Sequence, residues 1–223
     1  MDQQAHPAAQ RLFPVALLTL SGGLQDTYTY LRRGKVFANA QTGNIVLLGI
    51  QVAQGQWKMV IHYLLPIMAF ALGILTTEQL RRNLRQHSGP IHWRQPLLLI
   101  ECCIIAVVAF LPSKSMDNLA NILISFTSAV QVESFRKING CACITTMCTG
   151  NLRSGSENLF RVLARHEVES AEKARVYFSL ILCFIAGAVV SGLLTPLLHE
   201  KTILVTILPL GAACILMKWN RES

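Results

Sequence analysis

Two acids stand where acids are costly. Asp26 and Glu133 each lie inside a largely apolar stretch long enough to cross a bilayer, residues 12–31 and 116–135. An ionisable group in such a place is by default a functional candidate with a partner to be named. Apolar surroundings disfavour the charged form of a carboxyl, which suits it to take up and release protons near neutral pH. Arg32 or Arg33 is the neighbouring base for Asp26, and Arg136 or Lys137 for Glu133. The plainer alternative is that each acid caps a broken helix or locks onto that base.

Sixteen residues after each acid comes the same tripeptide, Thr42-Gly43-Asn44 and Thr149-Gly150-Asn151. Thr and Asn cap helices by accepting from free backbone N–H groups. Gly lets the backbone approach a ligand closely. A half-helix that begins inside a membrane points its free N–H groups and positive dipole end at the protein centre, which suits an anion or a carbonyl oxygen. These eight residues, Asp26, Thr42, Gly43, Asn44, Glu133, Thr149, Gly150 and Asn151, form the candidate solute-binding set. A purely structural use of the tripeptides, as caps and packing points, is compatible with that role.

The two acids and two tripeptides belong to an internal repeat. Residues 26–44 read DTYTYLRRGKVFANAQTGN and residues 133–151 read ESFRKINGCACITTMCTGN. Without a gap, acid aligns with acid, Tyr28 with Phe135, and TGN with TGN. An apolar stretch precedes each acid, and two more follow each tripeptide. Gly73 then matches Gly187. Self-similarity of this kind sets the architecture before any local reading does.

The remaining composition places these elements in a membrane. Hydrophobic residues make up 52% of the chain and charged residues 14%, against about 25% charged in a soluble domain. Residues 62–80, 96–112, 174–198 and 202–219 are each long and apolar enough to cross about 30 Å of hydrocarbon as helix. The two TGN segments are different. Residues 41–55 are too short to cross, and residues 149–160 carry Arg153 and Glu157. If both segments crossed, the 20 Lys and Arg would divide ten to each side. If both dip in and return, fourteen fall on one side and six on the other, and the positive-inside rule favours that arrangement. Three spans per half is odd, so the second half must be inverted. Inverted repeats with discontinuous helices are a common plan of secondary transporters.

GGLQDTYTYL followed by GKVFANAQTGNIVLLGI resembles the signature of the YoaK-like family of bacterial membrane proteins, a domain of unknown function. The resemblance covers essentially the whole chain. It implies an integral membrane protein and carries no activity with it. Glu133 in place of Asp, and the Cys-rich residues 140–148, depart from the family's pattern.

Other constellations carry less. Cys141-x-Cys143-x4-Cys148 would suit a soft metal or thiol exchange, yet it lacks a zinc spacing and a fourth ligand. Glu101 lies near one end of its span, where it snorkels or pairs with the basic 81–94 loop, membership of the site being the alternative. Glu78 is a surface partner for Arg81 or Arg82. His62, His87, His92, His166 and His199 fall at span ends or in loops. Gly22-Gly23, Gly73 and Gly187 suit close helix crossing. Ser154-Gly155-Ser156 extends the second TGN surface and matches no catalytic pattern. The net charge of +8 is explained by basic loops, so no nucleic-acid partner is expected.

The sequence thus predicts an all-α membrane protein with six transmembrane helices plus two re-entrant half-helices in two inverted-topology repeats. Residues 1–11 form a tail, 12–112 the first repeat, 113–219 the second and 220–223 a second tail, with both tails cytoplasmic at a bacterial inner membrane. The expected function is secondary transport of a small solute, an anion being one class the half-helix ends suit, with Asp26 or Glu133 linked to protons. A channel with the same central site is one alternative, and a membrane-embedded redox or metal-handling protein built on Cys141, Cys143 and Cys148 is another. No enzyme activity, cofactor or bound metal is expected. The partners are the lipid bilayer and the solute, and a homo-oligomer is left open.

Overall fold

The computed structural model describes residues 7–84, 94–135 and 148–222. Among the described residues the regular structure is helical: α1 (Pro7–Arg32), α2 (Gln41–Ala53), α3 (Trp57–Leu84), α4 (Arg94–Val108), α5 (Asp117–Ser134), α6 (Cys148–Arg165), α7 (Val168–Leu198) and α8 (Ile207–Glu222). A 3₁₀ segment, His199–Thr206, joins α7 to α8. The expected apolar stretches become α1, α3, α4, α5, α7 and α8, and the two TGN segments become α2 and α6. α1 begins at Pro7 and so takes up part of the expected tail. α8 begins at Ile207 and not Thr202, because a 3₁₀ turn intervenes after His199, whose φ is +51°.

Among the described residues α2 is the shortest α-helix, whereas α6, with 18 residues, is as long as α5. At about 1.5 Å per residue, α1 and α3 are about 40 Å long, whereas the 13 residues of α2 reach only about 20 Å. Two segments, Trp57–Asn83 and Val168–Met217, are long and apolar enough by composition to cross a membrane.

The helices pack in matching pairs. α1 lies on α7 as α5 lies on α3; α2 packs on α3 as α6 packs on α7; and α8 packs on α1 as α4 packs on α5. Glycine makes both major crossings close. A Cβ at Gly23 would sit 2.0 Å from the Phe184 carbonyl oxygen, and one at Gly187 would sit 2.1 Å from that of Leu20. At the α3–α5 crossing, a Cβ at Gly73 would lie 2.6 Å from the Phe126 oxygen. Small residues at crossings are how helices associate where burial of apolar surface offers little drive.

Polarity runs inside out. Thr19, Ser21, Gln25, Asn121, Ser125 and Ser128 are wholly buried between helices. Leu64, Met68, Leu72 and Leu75 on α3, and Leu182, Ile185, Val189 and Leu193 on α7, face outward. In water that surface would be a liability; hydrocarbon suits it.

Side-chain contacts tie the helix ends into two clusters. At one end, buried Arg33 donates to the Tyr28 hydroxyl (2.8 Å), to the Val108 and Leu111 carbonyls (3.0 and 2.9 Å) and to Asp117 (3.2 Å). His62 bridges the Gly34 carbonyl oxygen and Asn118 at the same end, and Arg32 pairs with Glu200. At the other end, Arg81 on α3 reaches Glu133 on α5 at 3.4 Å. Arg33 belongs to the first cluster because it lies two turns beyond Asp26. The expected pairing of Asp26 with Arg32 or Arg33 is therefore replaced by Arg32–Glu200 and Arg33–Asp117.

Candidate functional site

α1 ends at Arg32, and the following residues double back along it. At Asn39 the chain lies beside Asp26, whose Oδ1 accepts the Asn39 backbone N–H at 2.6 Å and its side-chain Nδ2 at 3.4 Å. The amides of Ala38 and Ala40 also face this carboxylate. Asn39 Nδ2 reaches the Gly22 carbonyl oxygen as well, at 3.3 Å. An acid in α1 thus satisfies backbone donors just before α2, where no side chain caps the helix itself. α2 then runs back toward the end where α3 begins, joined to it through residues 54–56.

Asn44 fixes the first turn of α2. Its Oδ1 accepts the Phe37 N–H at 2.9 Å, and its Nδ2 donates to the Phe37 carbonyl oxygen at 2.6 Å and to Gln41 Oε1 at 2.8 Å. One amide thereby imitates a backbone partner and consumes both polar groups of Phe37. Gly43 lies behind this clamp, where a Cβ would meet the Phe37 ring at 2.8 Å.

The start of α6 faces the start of α2 across a cavity of about 470 Å³. Asp26 and Thr42 line it on one side, and Cys148, Thr149 and Gly150 on the other. Phe70 and Phe184, each about halfway along its helix, complete the walls with Tyr30 and Phe37. The Tyr30 and Phe37 rings stack with centroids 4.9 Å apart. Among the described residues, a Cβ at Gly150 would meet nothing within 4 Å, whereas one at Gly43 is packed. Asn151, one residue on, is buried and bonded, and does not face the cavity.

Glu133 is apart from this site. It is buried near the far end of α5, against Arg81, which also pairs with Glu78 at 2.5 Å. Arg136 and Lys137, its expected partners, lie outside the described residues, as do Cys141 and Cys143. The structure therefore brings Asp26, Thr42, Thr149 and Gly150 together, sets Gly43, Asn44 and Asn151 just behind them, and leaves Glu133 elsewhere.

The family described as "Protein of unknown function (DUF1275)" matches residues 15–216, which reach into every helix named above. The chain belongs to the DUF1275 family. It is also similar to the UPF0700 transmembrane protein YoaK of Bacillus subtilis (strain 168), 26% identical over 208 residues that cover 90% of this chain and 91% of that one. No solved structure matches it significantly. A transmembrane relative, an apolar exterior and a polar interior agree that this DUF1275 chain is a membrane protein.

One acid of this DUF1275 chain departs from the snorkelling or loop pairing that its place near a span end suggests. Glu101 is only 2% exposed. It accepts Gln25 Nε2 at 2.9 Å, and Gln25 Oε1 accepts the Ser128 hydroxyl at 2.7 Å. It does not snorkel toward the 81–94 loop, because its side chain points inward to α1. This chain of three side chains joins α4, α1 and α5 one residue away from Asp26. Gln25 gave no signal in the sequence beyond being polar in an apolar run.

Proposed function

We propose that this chain is a carrier for a small solute in the bacterial inner membrane, and not an enzyme. Its two halves insert in opposite senses, both termini are cytoplasmic, and the solute binds between the first turns of α2 and α6. The observation that carries this reading is that Thr42 and Thr149–Gly150, matched segments of an internal repeat, line one cavity together with a buried acid. The paired packing of α1 on α7 and α5 on α3 supports two equivalent halves. The course of α2, which starts beside Asp26 and ends level with the start of α3, supports a re-entrant half-helix. Half-helix ends meeting at a central site are typical of carriers that work by alternating access. Asp26 is the proton-linked group of this reading, since it is the acid that lines the cavity.

Solvent access tests the reading without knowledge of the solute. Single cysteines at Thr42 and Thr149, in a cysteine-free background, should react with an impermeant methanethiosulfonate in both right-side-out and inverted vesicles. Reaction from one face alone would reveal a vestibule, and no reaction from either would reveal a sealed packing core; either result would contradict a carrier.

A further inference from the structure

The cavity's chemistry is uneven. Among the described residues, Asp26 is the one charged group that lines it, and no Lys or Arg does. Among the described residues, no basic side chain is paired with Asp26; the nearest along the chain, Arg32 and Arg33, are held by Glu200 and Asp117. Four aromatic residues, Tyr30, Phe37, Phe70 and Phe184, also line it. A carboxylate beside several aromatic rings is a surround that suits an ammonium group, because ring faces carry negative quadrupole density. The chain itself supplies an example: the Lys35 ammonium sits 4.6 Å from the centroid of Tyr30.

The half-helix ends do not outweigh this. Each helix N-terminus is worth roughly half a unit charge. At α2, the Gly43 N–H bonds the Ala40 carbonyl and the Gln41 N–H that of Asn39, while the Asn39 N–H is spent on Asp26. An anion placed between the two helices would meet a full carboxylate charge at close range. An ammonium would meet that same charge as a partner, and Coulomb energy at contact favours the full charge over partial ones.

From this cavity we infer that the solute is an organic ammonium, a primary or substituted amine in its protonated form carrying an apolar or aromatic body, held with its nitrogen at Asp26 and its body among Phe37, Phe70 and Phe184. The inference rests on the carrier reading above and names its substrate class, which differs from the anion that half-helix ends alone suggest. Gly150 is the position that leaves room for the body.

Two probes of similar shape and opposite charge decide it. Phenethylammonium and 3-phenylpropanoate are titrated calorimetrically into the full-length protein in lipid nanodiscs at pH 7.5, with Gly150→Leu as the blank for partition into lipid. Phenethylammonium should bind the wild type at least about tenfold more tightly than 3-phenylpropanoate. Asp26→Asn should weaken it about tenfold or more, and Phe184→Leu by several-fold. Should Asp26→Asn fail to fold, Phe184→Leu and Gly150→Leu carry the test, since neither touches the Asp26–Asn39 contact. Equal or tighter binding of 3-phenylpropanoate overturns the ammonium assignment, as does unchanged phenethylammonium binding in Asp26→Asn. Binding of neither probe also overturns it, and the thiol accessibility of Thr42 and Thr149 then shows separately whether the carrier reading stands.

Discussion

Asp26 Oδ1 lies 2.6 Å from the backbone nitrogen of Asn39, so an acid on the first helix holds the chain that leads into α2, a helix half as long as α1. The same carboxylate faces the cavity. Structural and binding roles therefore meet in one side chain, and two substitutions separate them. Asp26→Asn keeps an oxygen for the Asn39 N–H, so its melting temperature should stay close to wild type. Asp26→Ala leaves that buried N–H without an acceptor, a loss of about 1–3 kcal/mol. Thermal unfolding in detergent, followed by Trp fluorescence, checks the pair; equal melting temperatures would remove the structural role.

Asn44 should act on stability before it acts on binding. Asn44→Ala removes the partner of both Phe37 backbone groups, which costs about 1–3 kcal/mol when such groups are buried. The expected result is a lower melting temperature and lower yield. A stable Asn44→Ala protein would show that water replaces the clamp.

Glycines divide into two sets with opposite responses. Gly187→Ala places a Cβ where the Leu20 oxygen stands 2.1 Å away, so α1 and α7 must separate; overpacking of this kind costs about 1–3 kcal/mol. Gly150→Ala adds a methyl that meets no described residue within 4 Å, so its melting temperature should not fall. Both are read in one thermal-shift series, and a destabilised Gly150→Ala would contradict an open cavity.

Acid should loosen the Arg32–Glu200 end. The hydrogen bond from Arg32 holds the Glu200 carboxyl below the usual carboxylate range. A depressed pKa adds stability above the unfolded-state value, and that stability is lost as pH falls through the folded-state value. Both side chains are partly exposed, so the contribution is small. Melting temperature should fall on acidification below the carboxylate range, with a shallower fall in Glu200→Gln. Identical pH profiles would show that the pair adds nothing.

How much was legible in the sequence depended on whether a contact is local or periodic. The apolar stretches announced α1, α3, α4, α5, α7 and α8, because hydrocarbon demands long uninterrupted runs. The aligned Thr42 and Thr149 announced that two odd segments correspond, and they do share a cavity. What Asp26 binds was not legible, since a backbone amide has no residue type and the turn-back at residues 33–40 is set by geometry. Arg33 gave the same difficulty: adjacency suggested Asp26, but the end of α1 carries its guanidinium to α4 and α5 instead. Glu101 was misread because its depth along a helix says nothing of the face it occupies.

In the proposed carrier α2 enters and leaves at one face, and α6 at the other. Single cysteines at Gln54, Ser115 and Glu167, all exposed at turns, read this directly with an impermeant thiol reagent in intact cells and in inverted vesicles. Gln54→Cys and Ser115→Cys should label only from outside, and Glu167→Cys only from inside. Labelling of Gln54→Cys from inside, with Ser115→Cys still outside, would mean that α2 crosses the membrane, and the half-helix site would fall with it.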